Sequence, residues 1–284
     1  MNGIILIDKP KDYTSHDIVA VIKKISKEKV GHTGTLDPNA TGVLPLLIGK
    51  ATGISKYLIN HDKTYIATLK LGIKTDTADV EGKVLEEKDV SDLEIEDIQK
   101  ALNKLIGKQE QVPPMYSAIK VNGKKLYEYA RQGKKVELEA RRIEIYDTKL
   151  IEYNKVEAEI AFEVSCSKGT YIRTVCEKLA EELNTLGYMK ELIRTRVGDF
   201  DLEKTVHIED IKNNPELLEV NIISIEKFFE NKEQIELNDK ELELFLNGVK
   251  LSKEKPKDIY RIYNNNFIGI GIVEDNKLKR DIIL

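Results

Sequence analysis

Residues 31–42 read GHTGTLDPNATG and connect two apolar segments of the chain. Pro38 restricts the residue before it to extended geometry, which presents the carboxylate of Asp37 in a defined direction. From composition alone, Asp37 is either a turn residue or a group that acts on a ligand. Three glycines in the loop allow positive φ angles and the close approach of a ligand, and these are Gly31, Gly34 and Gly42.

The segments on either side of this loop show strand and helix patterns in turn. Residues 3–8 predict a buried strand, Ser15 is predicted to cap a helix, and residues 43–48 form a second short apolar run. Strict alternation over residues 64–71 predicts a half-buried strand, with Tyr65 on its buried face. The loop therefore lies between two apolar elements.

Longer elements follow in the second half of the chain. A helix is predicted to begin at Ser91 and to end at Gly107, residues 142–153 and 156–165 predict a hairpin, and a helix is predicted over residues 171–186. Long paired strands separated by single helices indicate an α+β fold with a mostly antiparallel sheet, because a doubly wound fold would alternate regularly.

The last part of the chain differs from the rest. Residues 241–284 predict a short helix and then small strands at 258–263, 267–273 and 277–283. We place a boundary near residue 235, which gives domains 1–235 and 236–284. A segment of this size is expected to pack against the larger domain.

Composition excludes several classes of protein. The chain has 284 residues, 41% of them hydrophobic, which excludes a disordered chain and a disulfide-stapled mini-protein. Two cysteines and four histidines predict neither disulfides nor a zinc site, and the spacing of Asp76, Asp79 and Glu81 does not match a calcium loop, so no metal is predicted. The early apolar run is too short for a signal peptide or a membrane span, so a cytoplasmic protein is expected.

Charge is distributed unevenly along the chain. The formal net charge of −4 gives no overall case for a nucleic-acid partner. Residues 104–142, however, hold ten Lys or Arg against four Glu and contain three tyrosines. Cations replace the counterions of a phosphate backbone and aromatic faces accept unstacked bases, so this window fits RNA, although a solvated surface hairpin is the alternative.

A second candidate site is the stretch SCSKGTYIRT at residues 165–174. Gly169 precedes Tyr171 and Arg173 at the predicted start of a helix. Arg173 can pair with a buried carboxylate and hold it ionised, since a nearby positive charge lowers the pKa of an acid. The alternative is an ordinary surface arginine.

Six blocks of sequence, in the same order, match one known family. The chain resembles the TruB family of tRNA pseudouridine synthases, which isomerise uridine 55 in the T-loop of tRNA. The resemblance covers nearly the whole chain, and its blocks are LIDKPKDYTSHDIV at 6–19, GHTGTLDPNATGVLP at 31–45, KTYIATLKLGIKTDTADVEG at 63–82, QVPPMYSAIKVNGKKLYEYARQG at 111–133, CSKGTYIRT at 166–174 and LIRTRVGDF at 192–200.

The resemblance implies roles for individual residues. Asp37 falls on the catalytic aspartate, and Tyr65 falls on the tyrosine that stacks on the flipped uracil. Arg173 falls on the partner of that aspartate. The resemblance also implies that Tyr171 and Leu192 line the uracil pocket and that His32 fills the gap left by the flipped base. Ile193 departs from the family, which often has the first arginine of a pair there, and so it is not predicted to contact RNA.

The resemblance also implies the architecture and the partners. The fold is expected to be a pseudouridine-synthase catalytic domain over residues 1–235, with an RNA-clamping insertion at about 111–140, followed by a PUA-like RNA-binding module over residues 236–284. The expected partner is the T-arm and T-loop of tRNA. No cofactor, no membrane and no obligatory protein partner are expected, and the predicted state is a monomer.

Three alternatives stay open for experiment. One is an RNA-binding or tRNA-folding protein without catalysis, which the presence of Asp37, Tyr65 and Arg173 disfavours. A second is the related RNA-guided catalytic subunit of a ribonucleoprotein, which the continuous clamp-like segment disfavours. A third is a carboxylate glycosidase, which needs two opposed acids where the sequence offers one. A tRNA chaperone activity could coexist with catalysis.

Overall fold

The computed structural model describes residues 1–90, 92–117, 119–134 and 136–284. Strands supply most of its regular structure. Numbered in chain order, they are β1 Gly3–Lys9, β2 Val30–His32, β3 Thr41–Ile48, β4 Lys63–Leu71, β5 Ile73–Thr75, β6 Val84–Glu87, β7 Gly107–Gln111, β8 Lys120–Val121, β9 Lys124–Lys125, β10 Arg141–Asn154, β11 Glu159–Cys166, β12 Gly187–Val197, β13 Phe200–Asp201, β14 Val206–His207, β15 Gln234–Glu236, β16 Leu251–Ser252, β17 Asp258–Asn264, β18 Asn266–Glu274 and β19 Lys277–Ile283.

The helices are shorter and lie between groups of strands. They are α1 Ser15–Ser26, α2 Ser55–Leu58, α3 Ile95–Lys104, α4 Leu126–Arg131, α5 Ile172–Glu182, α6 Ile208–Asn213, α7 Leu217–Val220, α8 Ile225–Phe228 and α9 Asp239–Leu246, with 3-10 turns at Gly49–Ile54 and Leu202–Lys204. Within the described residues, no helix is long and apolar enough to cross a lipid bilayer.

The chain folds into two compact units. The first unit contains Met1–Pro38, Leu44–Ile59 and Glu203–Leu284, and the second contains Asn39–Val43 and Asn60–Leu202. Strand β3 begins in the second unit and continues into the first. The predicted boundary near residue 235 stays a prediction.

In the second unit, β4 pairs with β12 on one side and with β11 on the other, both antiparallel. β11 continues to β10, and β10 continues to β7. A short parallel pairing joins β12 to the start of β3. Helix α5 packs against β12 and β4 because its residues at helical spacing are apolar, namely Ile172, Val175, Cys176 and Leu179. The α+β fold with a mostly antiparallel sheet is confirmed.

In the first unit, β1 lies in parallel beside β14, and β2 pairs with β3. Ile5 and Ile7 of β1 pack with Ile18 and Ile22 of α1 in one hydrophobic core. The same unit contains a separate five-stranded sheet in the order β15-β17-β18-β19-β16. Its core includes Phe245, and the strands predicted at 258–263, 267–273 and 277–283 are β17, β18 and β19. The predicted small β module is therefore present.

Several helix boundaries differ from the prediction. The cap of α1 is Thr14, whose side chain exchanges hydrogen bonds with Asp17 in a capping box, and Ser15 is the first helical residue. Helix α3 begins at Ile95, and the predicted start at Ser91 lies outside the described residues. Helix α5 ends at Glu182 instead of residue 186, because the chain turns there before β12 begins at Gly187.

Candidate active site

The backbone on both sides of Asp37 is held by the β1–α1 segment of the first unit. The amide of Leu36 donates to Ser15 Oγ at 3.0 Å, and that hydroxyl lies 3.3 Å from the Leu36 carbonyl, to which it donates. On the other side, the Pro38 carbonyl accepts from the Asp12 amide at 3.0 Å and from Lys9 Nζ at 3.0 Å. Asp37 therefore lies between two anchored neighbours, and its backbone has little freedom.

Lys9 is fully buried, which is unusual for a lysine. Its ammonium donates to three carbonyl oxygens, those of Pro10 at 2.9 Å, Tyr13 at 2.6 Å and Pro38 at 3.0 Å. These bonds compensate for the loss of hydration of the charged group. Lys9 thus ties the end of β1 to the loop that carries Asp37.

Replacing Lys9 with Met should destabilise the protein. The substitution preserves most of the buried volume but removes the donor to three partly buried carbonyls, of which, among the described residues, only that of Pro38 keeps a second donor, the Asp12 amide. The loss of these hydrogen bonds costs about 3 kcal/mol together. We expect the free energy of unfolding from urea denaturation to fall by about this amount. Lys11 is exposed, so Lys11→Met serves as the control and should leave stability nearly unchanged. Equal changes in the free energy of unfolding from the two substitutions would contradict the role of Lys9 in holding the loop that carries Asp37.

Two of the three loop glycines adopt conformations that favour glycine. Gly34 has φ of 87° and Gly42 has φ of 102°. At Gly42 an added Cβ would lie 2.2 Å from the carbonyl oxygen of Arg194, because β3 and β12 approach closely there. Gly31 is different, since it does not have a positive φ and a Cβ at that position would meet nothing within 4 Å. The expected requirement for glycine therefore applies to Gly34 and Gly42.

His32 lies at the end of β2 in the first unit, half-buried and paired with Leu46 of β3. Its ring meets the His16 ring edge-on, with 5.3 Å between the ring centroids. His16 is the second residue of α1, so the contact joins the start of the candidate loop to the same helix that anchors Leu36.

Tyr65 lies on β4 in the second unit and is 7% exposed. The register places it opposite Val164 of β11 and opposite Arg194 of β12. Arg194 is fully buried, and its guanidinium donates a hydrogen bond to the Tyr65 side chain. Arg194 is not among the residues predicted from the sequence, although its position two residues after Leu192 on a strand placed it on the same face.

The other predicted residues of the second unit occupy the start of α5 and the middle of β12. Tyr171 is the N-cap residue of α5, and its amide donates to Gln111 Oε1 at 2.8 Å. Leu192 is buried on β12 opposite Ala67 of β4. These positions leave the assignment of both residues to a uracil pocket as a prediction.

Arg173 is 5% exposed and not a surface residue. Its guanidinium donates to the Tyr116 carbonyl at 2.8 Å, to the Thr77 carbonyl at 3.3 Å and to the Asp79 carboxylate at 3.4 Å. It thereby joins the start of α5 to two loops of the second unit. The predicted role of Arg173 as the partner of Asp37 stays a prediction.

The basic window contains cations that are not neutralised by neighbouring acids. Lys125 Nζ and the Arg131 guanidinium lie 5.4 and 5.3 Å from the centre of the Tyr127 ring. Lys104, the first residue of the window, pairs with Glu182 at 2.9 Å, but among the described residues 105–117, 119–134 and 136–142 no Lys or Arg forms an ion pair. In the C-terminal sheet and its flanking residues, by contrast, Lys232 pairs with Asp258 at 2.9 Å. Further such pairs are Lys253 with Glu241, Lys255 with Glu233, Lys257 with Glu274 and Lys279 with Glu274.

A cleft of about 640 Å³ opens in the second unit beside Lys63, at the start of β4. Arg196 also lines it, but so do three carboxylates, those of Asp62, Asp147 and Asp199. The opposing charges do not favour an anionic ligand such as a phosphate.

Solved structures share this arrangement of strands and helices. A structure titled "Crystal Structure of a Cbf5-Nop10-Gar1 Complex" superposes with a TM-score of 0.70 and 26% sequence identity, over 99% of this chain and 84% of that chain. A second, an H/ACA RNP bound to a substrate RNA containing 2'-deoxyuridine, shares the fold with a TM-score of 0.70 and 23% identity, over 99% of this chain and 85% of that chain. The fold is that of a pseudouridine synthase catalytic domain.

Sequence comparison specifies the family. The TruB family pseudouridylate synthase N-terminal domain matches residues 23–172, and the tRNA pseudouridylate synthase B C-terminal domain matches residues 173–229. The chain is 46% identical to tRNA pseudouridine synthase B of Clostridium tetani over 95% of each chain. It is 39% identical to the enzyme of that name from Caldanaerobacter subterraneus over 98% of each chain. The chain belongs to the TruB family of pseudouridylate synthases.

Proposed function

We propose that this protein isomerises uridine to pseudouridine at position 55 in the T-loop of tRNA, with Asp37 as the attacking carboxylate and without a cofactor. The observation that carries the proposal is the anchoring of Leu36 and Pro38 on either side of Asp37. A carboxylate on a fixed backbone can be presented to one atom of a bound nucleoside, and such fixed orientation lowers the barrier of the reaction. The names of the relatives support tRNA as the substrate.

The chemistry requires only groups that the chain itself supplies. The bond between N1 of uracil and C1′ of the ribose breaks, the base turns, and a bond forms between C5 and C1′. C5 loses a proton and N1 carries one in the product, so no electron is gained or lost and no energy input is needed. A carboxylate can add to the sugar or the base, or it can assist proton removal, and Asp37 is required on each of these routes.

The target base must leave the folded T-loop before it can react. Extrusion of a base costs a few kcal/mol, and stacking on an aromatic side chain returns about 1 to 3 kcal/mol per base. Tyr65 supplies this stacking in the proposal, with Tyr171 and Leu192 lining the pocket. His32 fills the gap in the RNA, and Arg173 supports the ionised form of Asp37.

The RNA surface is assigned to the insertion at about residues 111–140. Its described cations are free of ion pairs, and two of them, Lys125 and Arg131, lie near the ring of Tyr127. Such a surface can neutralise phosphates without first breaking pairs within the protein. The module at residues 236–284 is proposed as a second RNA contact, and the enzyme is proposed to act as a monomer in the cytoplasm without an obligatory protein partner.

The proposal is tested by single-turnover pseudouridine formation on an unmodified tRNA transcript, with the modified position mapped. We expect conversion at uridine 55 and at no other uridine. A transcript with cytidine at position 55 is the control and should bind without reacting. Tight binding of both transcripts without any conversion would instead support an RNA-binding or tRNA-folding protein without catalysis.

A further inference from the structure

We propose that Arg194 is a positioning residue that holds the Tyr65 side chain in the orientation needed for stacking on the extruded base. This inference deepens the proposed function and rests on it. It concerns a residue that the sequence blocks do not single out and whose role is defined by its contacts alone.

The backbone register brings the two residues together. Arg194 of β12 lies directly opposite Tyr65 of β4 in the antiparallel pair. The Arg194 Nε donates to the Val43 carbonyl at 2.8 Å, and the same guanidinium donates to the Tyr65 side chain. One end of the guanidinium is thus fixed to the backbone of β3, and the other end reaches the tyrosine.

The burial of Arg194 requires an explanation. The residue has no exposed surface, and a buried charge is costly to remove from water. Apolar residues of similar volume often stabilise a core at least as well as a buried charged group does. The presence of an arginine at this strand position therefore points to a task that an apolar side chain could not perform.

The shape of the guanidinium fits that task. It is planar and directs five donors in a rigid fork, whereas a lysine ammonium is a single point on a flexible chain. A donor fixed to Val43 therefore determines where the remaining donors point. Gly42, whose missing side chain lets β3 approach β12, is the neighbour of this carbonyl.

The charge of Arg194 also affects Lys63, which lies on the same face of β4 as Tyr65. Lys63, two residues before Tyr65 on β4, has its pKa lowered to about 8 by burial first and by the positive charge of Arg194 second. The positive charge of the guanidinium therefore contributes to the electrostatic potential around Tyr65.

The test is a double-mutant cycle between Arg194→Lys and Tyr65→Phe. Single-turnover rates at saturating enzyme and dissociation constants for an unmodified tRNA transcript are measured for the four proteins. Arg194→Lys should lower the rate by about tenfold or more, as expected for a displaced catalytic side chain, and should leave the dissociation constant within about twofold. In the Tyr65→Phe protein, which lacks the hydroxyl, the same change should lower the rate by less than about twofold.

Independent losses from the two substitutions would overturn the proposal, as would a weaker dissociation constant with an unchanged rate. A matched control for structural cost is Arg261→Lys. Arg261 also donates through Nε to a carbonyl, that of Lys232 at 2.9 Å, and to a tyrosine hydroxyl, that of Tyr263 at 3.3 Å. The melting temperatures of the two Arg→Lys proteins show how much of any change is a loss of stability.

If the Arg194→Lys protein does not fold, the Tyr65→Phe protein alone still tests the positioning role of Arg194. This substitution preserves the ring for stacking and removes only the hydroxyl that Arg194 holds. A rate equal to that of the wild type would overturn the positioning role. A loss of about tenfold or more at unchanged affinity, with the pH dependence of the wild type, would support it, whereas a changed pH dependence would assign the hydroxyl to proton transfer and overturn it. Absence of conversion by the wild type would instead refute the proposed function.

Discussion

Asp37→Asn is expected to reduce single-turnover pseudouridine formation by at least about 10⁴-fold, the scale on which removal of an essential catalytic group acts in other enzymes. Asparagine has nearly the same shape, so the hydrogen bonds to the neighbouring Leu36 and Pro38 should persist. It lacks the negative charge and the nucleophilic oxygen, so neither addition to the nucleoside nor proton removal can proceed.

Binding should survive the same substitution. Most of the affinity for RNA comes from many phosphate contacts, and one altered side chain should change the dissociation constant by no more than about threefold. Asp210 is an exposed aspartate on α6 of the same unit, and Asp210→Asn is the control that should react at the wild-type rate. A rate for Asp37→Asn within tenfold of the wild type would remove Asp37 from the mechanism.

Replacing Lys124, Lys125 and Arg131 with glutamine should weaken tRNA binding by about 100-fold at 0.1 M salt. These cations have no acidic partner among the described residues, so each can replace a counterion on the RNA. The slope of log affinity against log salt should become shallower by about 2 to 3 when three phosphate contacts are lost. Filter binding at several salt concentrations measures both quantities.

A matched triple substitution separates a local surface from a general effect of charge. Lys23, Lys24 and Lys27 are exposed near the end of α1 in the first unit, and their replacement by glutamine removes the same charge. We expect a change in affinity of less than about threefold for this control. Equal losses from the two triple variants would mean that the insertion has no special part in binding.

Local patterns in the sequence were sufficient for several of the strands. The alternation in residues 64–71 gave β4, and turn residues with positive φ, Asn265 and Asp275, separate the three C-terminal strands that were predicted. These signals depend on neighbours along the chain, which a sequence displays directly.

Contacts between distant residues were not accessible in the same way. Lys9 and the Pro38 carbonyl are 29 positions apart, and nothing in their local sequence indicates that they meet. Ser15 was interpreted as a helix cap because serine is common there, but its hydroxyl is used by Leu36 and the cap is Thr14. Tertiary contacts decided the role of both side chains.

Arg194 was not predicted for a different reason. Period-two alternation places it on the face of Leu192, but arginine is rarely buried, so the alternation alone does not predict an interior position. The alternation indicated an inward position, but the general preference of arginine for the surface argued against it. Charged residues at inward positions of a strand are therefore worth selecting as candidates in their own right.

Gly42 has a consequence for how a saturation mutagenesis library of this protein would be interpreted. Every other amino acid at position 42 places a carbon against the backbone of β12, so inactive clones would accumulate there as they would at Asp37. An activity screen alone would rank the two positions together. Sorting the same library for soluble expression should separate them, because variants at position 42 are expected not to assemble, whereas under the proposed function variants at position 37 lose only the chemistry.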